Sequence, residues 1–373
     1  MSNSDGIPLI KEDCRRIVWD RPCRPHKERG QTCEDCPDYA PAGKRIVIVK
    51  LDAMGDVLRT TCVLEGLREK YKDAHITWIT REESTPILLE NPYIDRIVPY
   101  GTEALTVLLS EDFDLVFNPD AAPASAALAS LARAKEKKGI FTDENGRLRP
   151  ASNAARKWML MGMRDDLKRA NESTYQEIIL DMLGLRPRSR EIILSLTEEE
   201  KAGAKAVMRG KGGRPLVGVN TGGGEKWELK QWTIANCVKF IDMVSRELKA
   251  TVVLFGGDAE RKRNREILRR SKVPVVDTGC DNTLREFFAL LDRCDAIVTS
   301  DSLGLHAALG LKKKVVALFG PTSAAEIDMY ERGVKVVADV ECRACYLPRC
   351  DKPHTCMDAI KPETVLEALK SLL

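Results

Sequence analysis

No stretch of this 373-residue sequence approaches the ~20 consecutive apolar residues that a membrane-crossing helix needs, so no span is expected. Between Met1 and Asp20 there is no continuous apolar run, which argues against a secretory signal and for a cytoplasmic protein. Charge of one sign is scarce. A net charge of +3 is too small to imply nucleic acid as a partner. Basic residues do gather mid-chain at Lys135, Lys137 and Lys138, then at Arg156, Lys157, Arg164, Lys168 and Arg169. That charge reads as a solvated face or as a surface for acidic lipid or phosphorylated sugar. The dinucleotide fingerprint G-x-G-x-x-G is absent, which weakens a dehydrogenase reading. Histidine is rare, with four in the chain, so few imidazoles are available for catalysis.

What is present alternates. The hydrophobic fraction is 43% and the charged fraction 31%, as in a soluble globular protein, and the length suits two cores better than one. Arg45–Leu51 is a short β-branched run that reads as a buried strand, followed by a glycine turn and an amphipathic helix to about residue 70. His75–Thr80 and Asp114–Asn118 read as further strands, with helices near 102–110 and 124–135. The grammar restarts at Pro215–Asn220 and continues through Ala250–Phe255, Val273–Asp277, Ala296–Thr299 and Lys314–Phe319. Strand–helix alternation of this kind predicts two Rossmann-like parallel sheets of the α/β class. The glycine-rich, basic residues 201–204 and 209–214 favour no regular element, which places a linker near 205–214. The chain thus divides into an extension (1–44), a first domain (45–205), a second domain (215–355) and a C-terminal helix (356–373). Ligands of open α/β sheets bind beyond the carboxyl ends of the strands, so the loops after Leu51, Asn220, Phe255, Thr299 and Phe319 should line a central cleft.

Those loops carry the chemistry. Asp56 falls at the start of the first helix and reads as an N-cap, as a carboxylate facing the cleft that can accept a proton, or as both. Asn220–Lys226 combines small residues, the Thr221 hydroxyl and the Lys226 amine, with Lys230 close behind; a phosphate-bearing ligand requires such donors and countercharge. Glu260 reads as a helix cap or as a partner for a ribose hydroxyl. Ser300, Asp301 and Ser302 end one strand and open a helix whose free N–H groups can receive a diphosphate. His306, one turn inside that helix, reads as a site residue or as a satisfied core histidine.

In combination, Val49–Val57, Lys230–Trp232, Phe255–Glu260, Ser300–His306 and Ala317–Thr322 resemble glycosyltransferase family 9, the ADP-heptose:lipopolysaccharide heptosyltransferases, over roughly residues 45 to 370. The resemblance implies a GT-B fold, with a lipid-linked or surface-glycan acceptor held by the first domain and an ADP-sugar by the second. It also implies metal-independent inverting transfer with Asp56 as general base. The donor site it implies is Thr221, Lys230, Glu260, Asp301, Ser302 and His306, with Lys226 as an added phosphate ligand. The chain departs from the pattern in having Leu303 after the Asp–Ser pair, with Gly304 one place later, and in its extension before residue 45.

Eight of the twelve cysteines form two groups: Cys14, Cys23, Cys33 and Cys36, and Cys342, Cys345, Cys350 and Cys356. Each holds a C-x-x-C pair, so structural zinc, an iron–sulfur cluster or free thiols are all readings, and the two ends can meet in one composite site if the final helix returns to the first domain. Cys62, Cys237, Cys280 and Cys294 lie among apolar residues and read as core. Arg156–Arg164 reads as a helix burying a methionine face or as a contact with the inner membrane. Rival functions are a non-catalytic nucleotide-sugar-binding protein and a metal- or redox-sensing protein on the same scaffold.

Overall fold

The computed structural model describes residues 8–213, 215–223, 228–347 and 349–373. The first sheet comprises β1 (Arg45–Val49), β2 (His75–Thr80), β3 (Arg96–Pro99), β4 (Asp112–Asn118), β5 (Arg133–Thr142) and β6 (Leu148–Pro150), ordered β3-β2-β1-β4-β5-β6. The second comprises β7 (Leu216–Asn220), β8 (Thr251–Phe255), β9 (Val275–Asp277), β10 (Ala296–Ser300), β11 (Lys314–Phe319) and β12 (Gly333–Val337), ordered β12-β11-β10-β7-β8-β9. Among the described strands, only β6 runs antiparallel to its neighbour. Central strands such as β1 and β10 are covered on both faces, which is why they read as unbroken β-branched runs. In both sheets the order reverses beside the first strand, between β1 and β4 and between β7 and β10. Loops leaving those switch points diverge and open a crevice, and both crevices belong to the cleft.

The halves share a core. Residues of the first sheet such as Ile48 and Phe117 join one buried cluster with Phe255, Phe288 and Leu305 of the second. At its centre the helix Met54–Thr60 lies against the helix Leu303–Gly310. Gly55 permits this approach, because a Cβ there would stand 2.8 Å from His306 Cδ2.

Several expectations require correction. Residues 133–135, read as the end of a helix, begin β5, whose exposed Lys135 and Lys137 mask the strand pattern. Residues 201–204 lie inside the helix Glu198–Val207, held by a Thr197/Glu200 capping box with three glutamates in the first turn. The final helix, Pro362–Lys370, buries Val365, Leu366 and Leu369 in the core of the second sheet, against the helix Ile234–Leu248, and does not return to the first. Cys280 is half-exposed, whereas Cys62, Cys237 and Cys294 are buried as expected. In the helix Asn153–Met163, Ala155 is buried and Met159 packs partly buried against the core, whereas Met163 is 71% exposed, so the methionine face is only partly covered.

The extension docks on the amino ends of β2 and β3: Gly43 N donates to Asp73 O (2.7 Å), His75 N to Lys44 O (2.8 Å), and Arg15 pairs with Asp95 (3.4 Å). The C-terminal cysteine loop instead follows the carboxyl end of β11, where Ala344 N donates to Gly320 O and Tyr346 N to Pro321 O, both at 2.9 Å. The two cysteine groups therefore sit on different sheets, and the composite site is not formed. None of the twelve cysteines is joined in a disulfide. Among the described residues no three Cys, His, Asp or Glu side chains are gathered as a metal-holding group.

Candidate active site

The carboxyl ends of β1, β4, β7 and β10 bring ionisable side chains from both halves together. Asp56 is not the helix cap: Ala53 holds that position, and Asp56 sits in the first turn, where its Oδ1 accepts from Arg59 Nε at 2.9 Å. Burial alone would raise its carboxyl pKa, but Arg59, then Lys50 and His306, reverse this and hold it below the usual carboxylate range. The base candidate is therefore ionised at neutral pH. Lys50, buried at the end of β1, donates to the Asp120 carboxylate, which also accepts from Leu51 N at 3.1 Å. Burial raises the Asp120 carboxyl, with Lys50 opposing.

Across the cleft, Lys230 Nζ donates to Asp301 Oδ2 (2.9 Å) and Asp301 O (3.0 Å). Burial pushes the Asp301 carboxyl up, but Lys230 and then His306 overcome it and bring it down to about 2. His306 is 5% exposed, with Nε2 4.0 Å from Asp301 Oδ1. Its imidazole is brought down to about 4, first by burial and then by Arg59. Ser302 opens the helix Leu303–Gly310 without capping it; its hydroxyl accepts from Asn220 Nδ2 (3.2 Å) and lies 3.1 Å from Thr299 Oγ1. Gly304 suits this loop, since a Cβ there would stand 2.5 Å from Asn220 Nδ2. The glycine displaced by one place thus serves close packing onto the end of β7.

Thr221 and Glu260 form a second group. The Thr221 hydroxyl donates to Asn264 Oδ1 (2.6 Å) and is 3.1 Å from Phe255 O, tying the ends of β7 and β8 together. Glu260 accepts from Gly257 N (3.0 Å) and Gln231 Nε2 (3.3 Å), so the cap reading holds while the carboxylate borders the same crevice. Lys226 lies outside the described residues. Lys50, Arg59, Asp120, Asn220 and Glu326 belong to this constellation and were not singled out from the sequence. The position of Lys50 and Asn220 at strand ends was the available signal; Arg59, Asp120 and Glu326 had none.

Two Rossmann-like sheets with a polar cleft at their facing switch points define a two-domain α/β architecture of the GT-B type. Residues 104–354 match the family model described as glycosyltransferase family 9 (heptosyltransferase), and the chain belongs to that family. It is 30% identical over 169 residues to a lipooligosaccharide heptosyltransferase 2 of Campylobacter jejuni subsp. jejuni serotype O:6, a match covering 43% of this chain and 52% of that protein. The chain thus spans about half the length of that relative. With lipooligosaccharide heptosyltransferase 2 of Haemophilus influenzae it shares 23% identity over 362 residues, 88% of this chain and 99% of the other. The solved structure of the E. coli ADP-heptose lps heptosyltransferase II superposes with a TM-score of 0.66 at 20% identity, covering 88% of this chain and 98% of that one, in agreement with the GT-B fold.

Proposed function

We propose that this protein is an inverting glycosyltransferase that moves heptose, or a closely related sugar, from an ADP-linked donor to a lipopolysaccharide-core or similar surface-glycan hydroxyl. The observation that carries the reading is a carboxylate, Asp56, kept ionised at the floor of the cleft opposite Lys230 and the amino end of the helix Leu303–Gly310. In the reaction Asp56 takes the acceptor hydroxyl proton as the oxygen attacks the anomeric carbon from the face opposite the departing ADP. Lys230 and the N–H groups after Ser302 stabilise the charge gathering on the diphosphate. Asp301 serves as the fixed counter-anion that orients Lys230, and Glu260 and Thr221 line the nucleoside side. Lys226 completes the phosphate ligands in this proposal.

The acceptor is lipid-linked in this reading, and the chain works in the cytoplasm, peripherally at the inner membrane. In support, Met163 and Leu167 are exposed beside Arg156, Lys157, Arg164 and Arg169. No helix among the described residues is long and apolar enough to cross a membrane.

The deciding experiment is transfer from ADP-heptose with wild type and Asp56→Asn. A loss of about a hundredfold or more in kcat with ADP still bound supports the reading; an Asp56→Asn variant with wild-type kcat refutes it. A structural metal on Cys342, Cys345, Cys350 and Cys356 is a separate proposal. It rests on Cys345, Cys342 and Cys350 lying close enough to Cys356 to act on its thiol, which burial holds protonated until a metal displaces the proton. The ligand geometry is not assembled in this structure. Elemental analysis finding less than about a tenth of an equivalent of zinc or iron per chain would dismiss it.

A further inference from the structure

We infer that Arg59 is a positioning residue for the base and that Glu326, reaching over from the second half, anchors Arg59, so that Asp56 is fixed in its working position only while the two halves are together. The inference deepens the proposed transfer reaction and rests on it.

Arg59 is 8% exposed, an unusual place for a guanidinium. It is enclosed by three groups. Nε donates to Asp56 at 2.9 Å, the ring of Tyr175 lies 3.8 Å beneath the guanidinium carbon, and Nη2 stands 3.6 Å from Glu326 Oε2. Glu326 is itself 7% exposed and comes from the connection between β11 and β12, whereas Asp56, Arg59 and Tyr175 belong to the first half. Its backbone is also tied across, since Tyr175 N donates to Glu326 O at 2.9 Å. Tyr175 OH shares a 2.6 Å hydrogen bond with Thr60 Oγ1, and Thr60 Oγ1 reaches Asp56 O at 2.6 Å. The aspartate is thus held at its carboxylate by Arg59 and at its carbonyl by Thr60, and both holders lean on Tyr175. Separating the halves would remove Glu326 from both Arg59 and Tyr175.

A buried guanidinium between two carboxylates can serve stability alone, and its effect on the base is what separates the two roles. The groups facing Asp56 are Arg59 from its own helix, Lys50 of β1, Asp120 after β4, Tyr175, and Asp301 and His306 from the second half, with Lys230 paired to Asp301. Of these, Arg59 is the strongest opponent of the partial burial that raises the Asp56 carboxyl, whose side chain is 36% exposed. Without its charge, Lys50 is the main cation left to oppose burial and Asp301. Loss of Arg59 should therefore shift the acid limb of the rate profile to higher pH, which a purely structural salt bridge would not do.

The test compares wild type, Arg59→Met, Arg59→Lys, Glu326→Gln and Asp56→Asn in ADP-heptose transfer across pH, with folding checked by circular dichroism. Arg59→Met is expected to lose about a hundredfold in kcat at neutral pH, with little change in KM for the donor and an acid limb moved upward. Arg59→Lys and Glu326→Gln keep a cation beside Asp56 but loosen it, and should lose about tenfold in kcat with the limb unmoved. A folded Arg59→Met with the wild-type limb and kcat overturns the inference. Should Arg59→Met fail to fold, wild-type kcat in both Arg59→Lys and Glu326→Gln overturns it instead. Asp56→Asn separates this failure from a failure of the base reading: if that variant is inactive while Arg59→Met is unaltered, only the role of Arg59 falls; if it is fully active, the base itself is elsewhere.

Discussion

His306 should remain uncharged at every pH at which the protein works. It is 5% exposed, with Arg59 nearby; burial and then that cation bring its imidazole from 6.5 to about 4, with Asp301 and Asp56 pulling the other way. The unfolded chain, by contrast, protonates this imidazole near 6.5. As pH falls below 6.5 the unfolded state takes up a proton that the folded state refuses, so the contribution to stability is whole above 6.5 and declines as pH falls towards about 4. The gap corresponds to roughly 3 kcal/mol, most of it spent by pH 4.5. Two measurements check this. With four histidines in the chain, imidazole proton resonances assigned by His306→Gln give its titration directly. Urea unfolding of wild type and His306→Gln at pH 7.5 and 4.5 gives the energy, because the other titrating groups cancel in the difference. An imidazole titrating near 6.5, or an identical loss of stability with acid in both proteins, would refute the argument. In the proposed transfer, countercharge for the departing diphosphate would then come from Lys230 and backbone N–H groups, not from an imidazolium.

Gly55→Ala should lower the thermal midpoint, at a cost of about 1–3 kcal/mol, because its methyl carbon would stand 2.8 Å from His306 Cδ2 where the helices Met54–Thr60 and Leu303–Gly310 meet; a midpoint within error of wild type in differential scanning calorimetry would contradict the packing described. Lys230→Met leaves the carboxylate of Asp301, 17% exposed, without its lysine, so stability at neutral pH should fall by about 3–5 kcal/mol and calorimetric ADP binding should be lost. Because Lys230 is the largest influence holding Asp301 down to about 2, part of that destabilisation should be relieved as pH is lowered and the carboxyl protonates, whereas wild type keeps the benefit of the ionised Asp301 until pH falls through the window from 3.8 to about 2. Equal urea midpoints for the two proteins at neutral pH would contradict the pairing.

Most of the architecture was legible because each central strand is buried on both faces, and a run such as Ile46–Val49 has few other ways to satisfy its side chains and its backbone. Where one face meets water the pattern fails: β5 carries Lys135 and Lys137 outward, and its start reads as the end of a helix. The helix Glu198–Val207 was missed because Gly203 weakens local propensity, and the capping box at Thr197 and Glu200 is what restores it. The final helix followed an expectation drawn from family resemblance, while its apolar stripe decided otherwise by packing on the second sheet.

The candidate site divides along a similar line. Residues in the loops just after strand ends are legible as candidates, because open α/β sheets present those loops to the cleft; Asp56, Thr221, Glu260 and Asp301 are read this way. What makes Asp56 more than a helix-start carboxylate is not local. Arg59 lies one turn further on, with an ordinary i,i+3 spacing that reads as a surface ion pair worth little. Its weight comes from burial, and its burial comes from Tyr175 and Glu326, which pattern near Asp56 cannot connect to it. An acid at the floor of a two-domain cleft meets opposing demands: removal from water favours its neutral form, and service as a base requires the charged one. The first half supplies the cation that settles the matter, and the second half supplies the anion that makes the cation tolerable to bury. Ionisation of Asp56 is in that sense a property of the assembled cleft rather than of the loop that carries it.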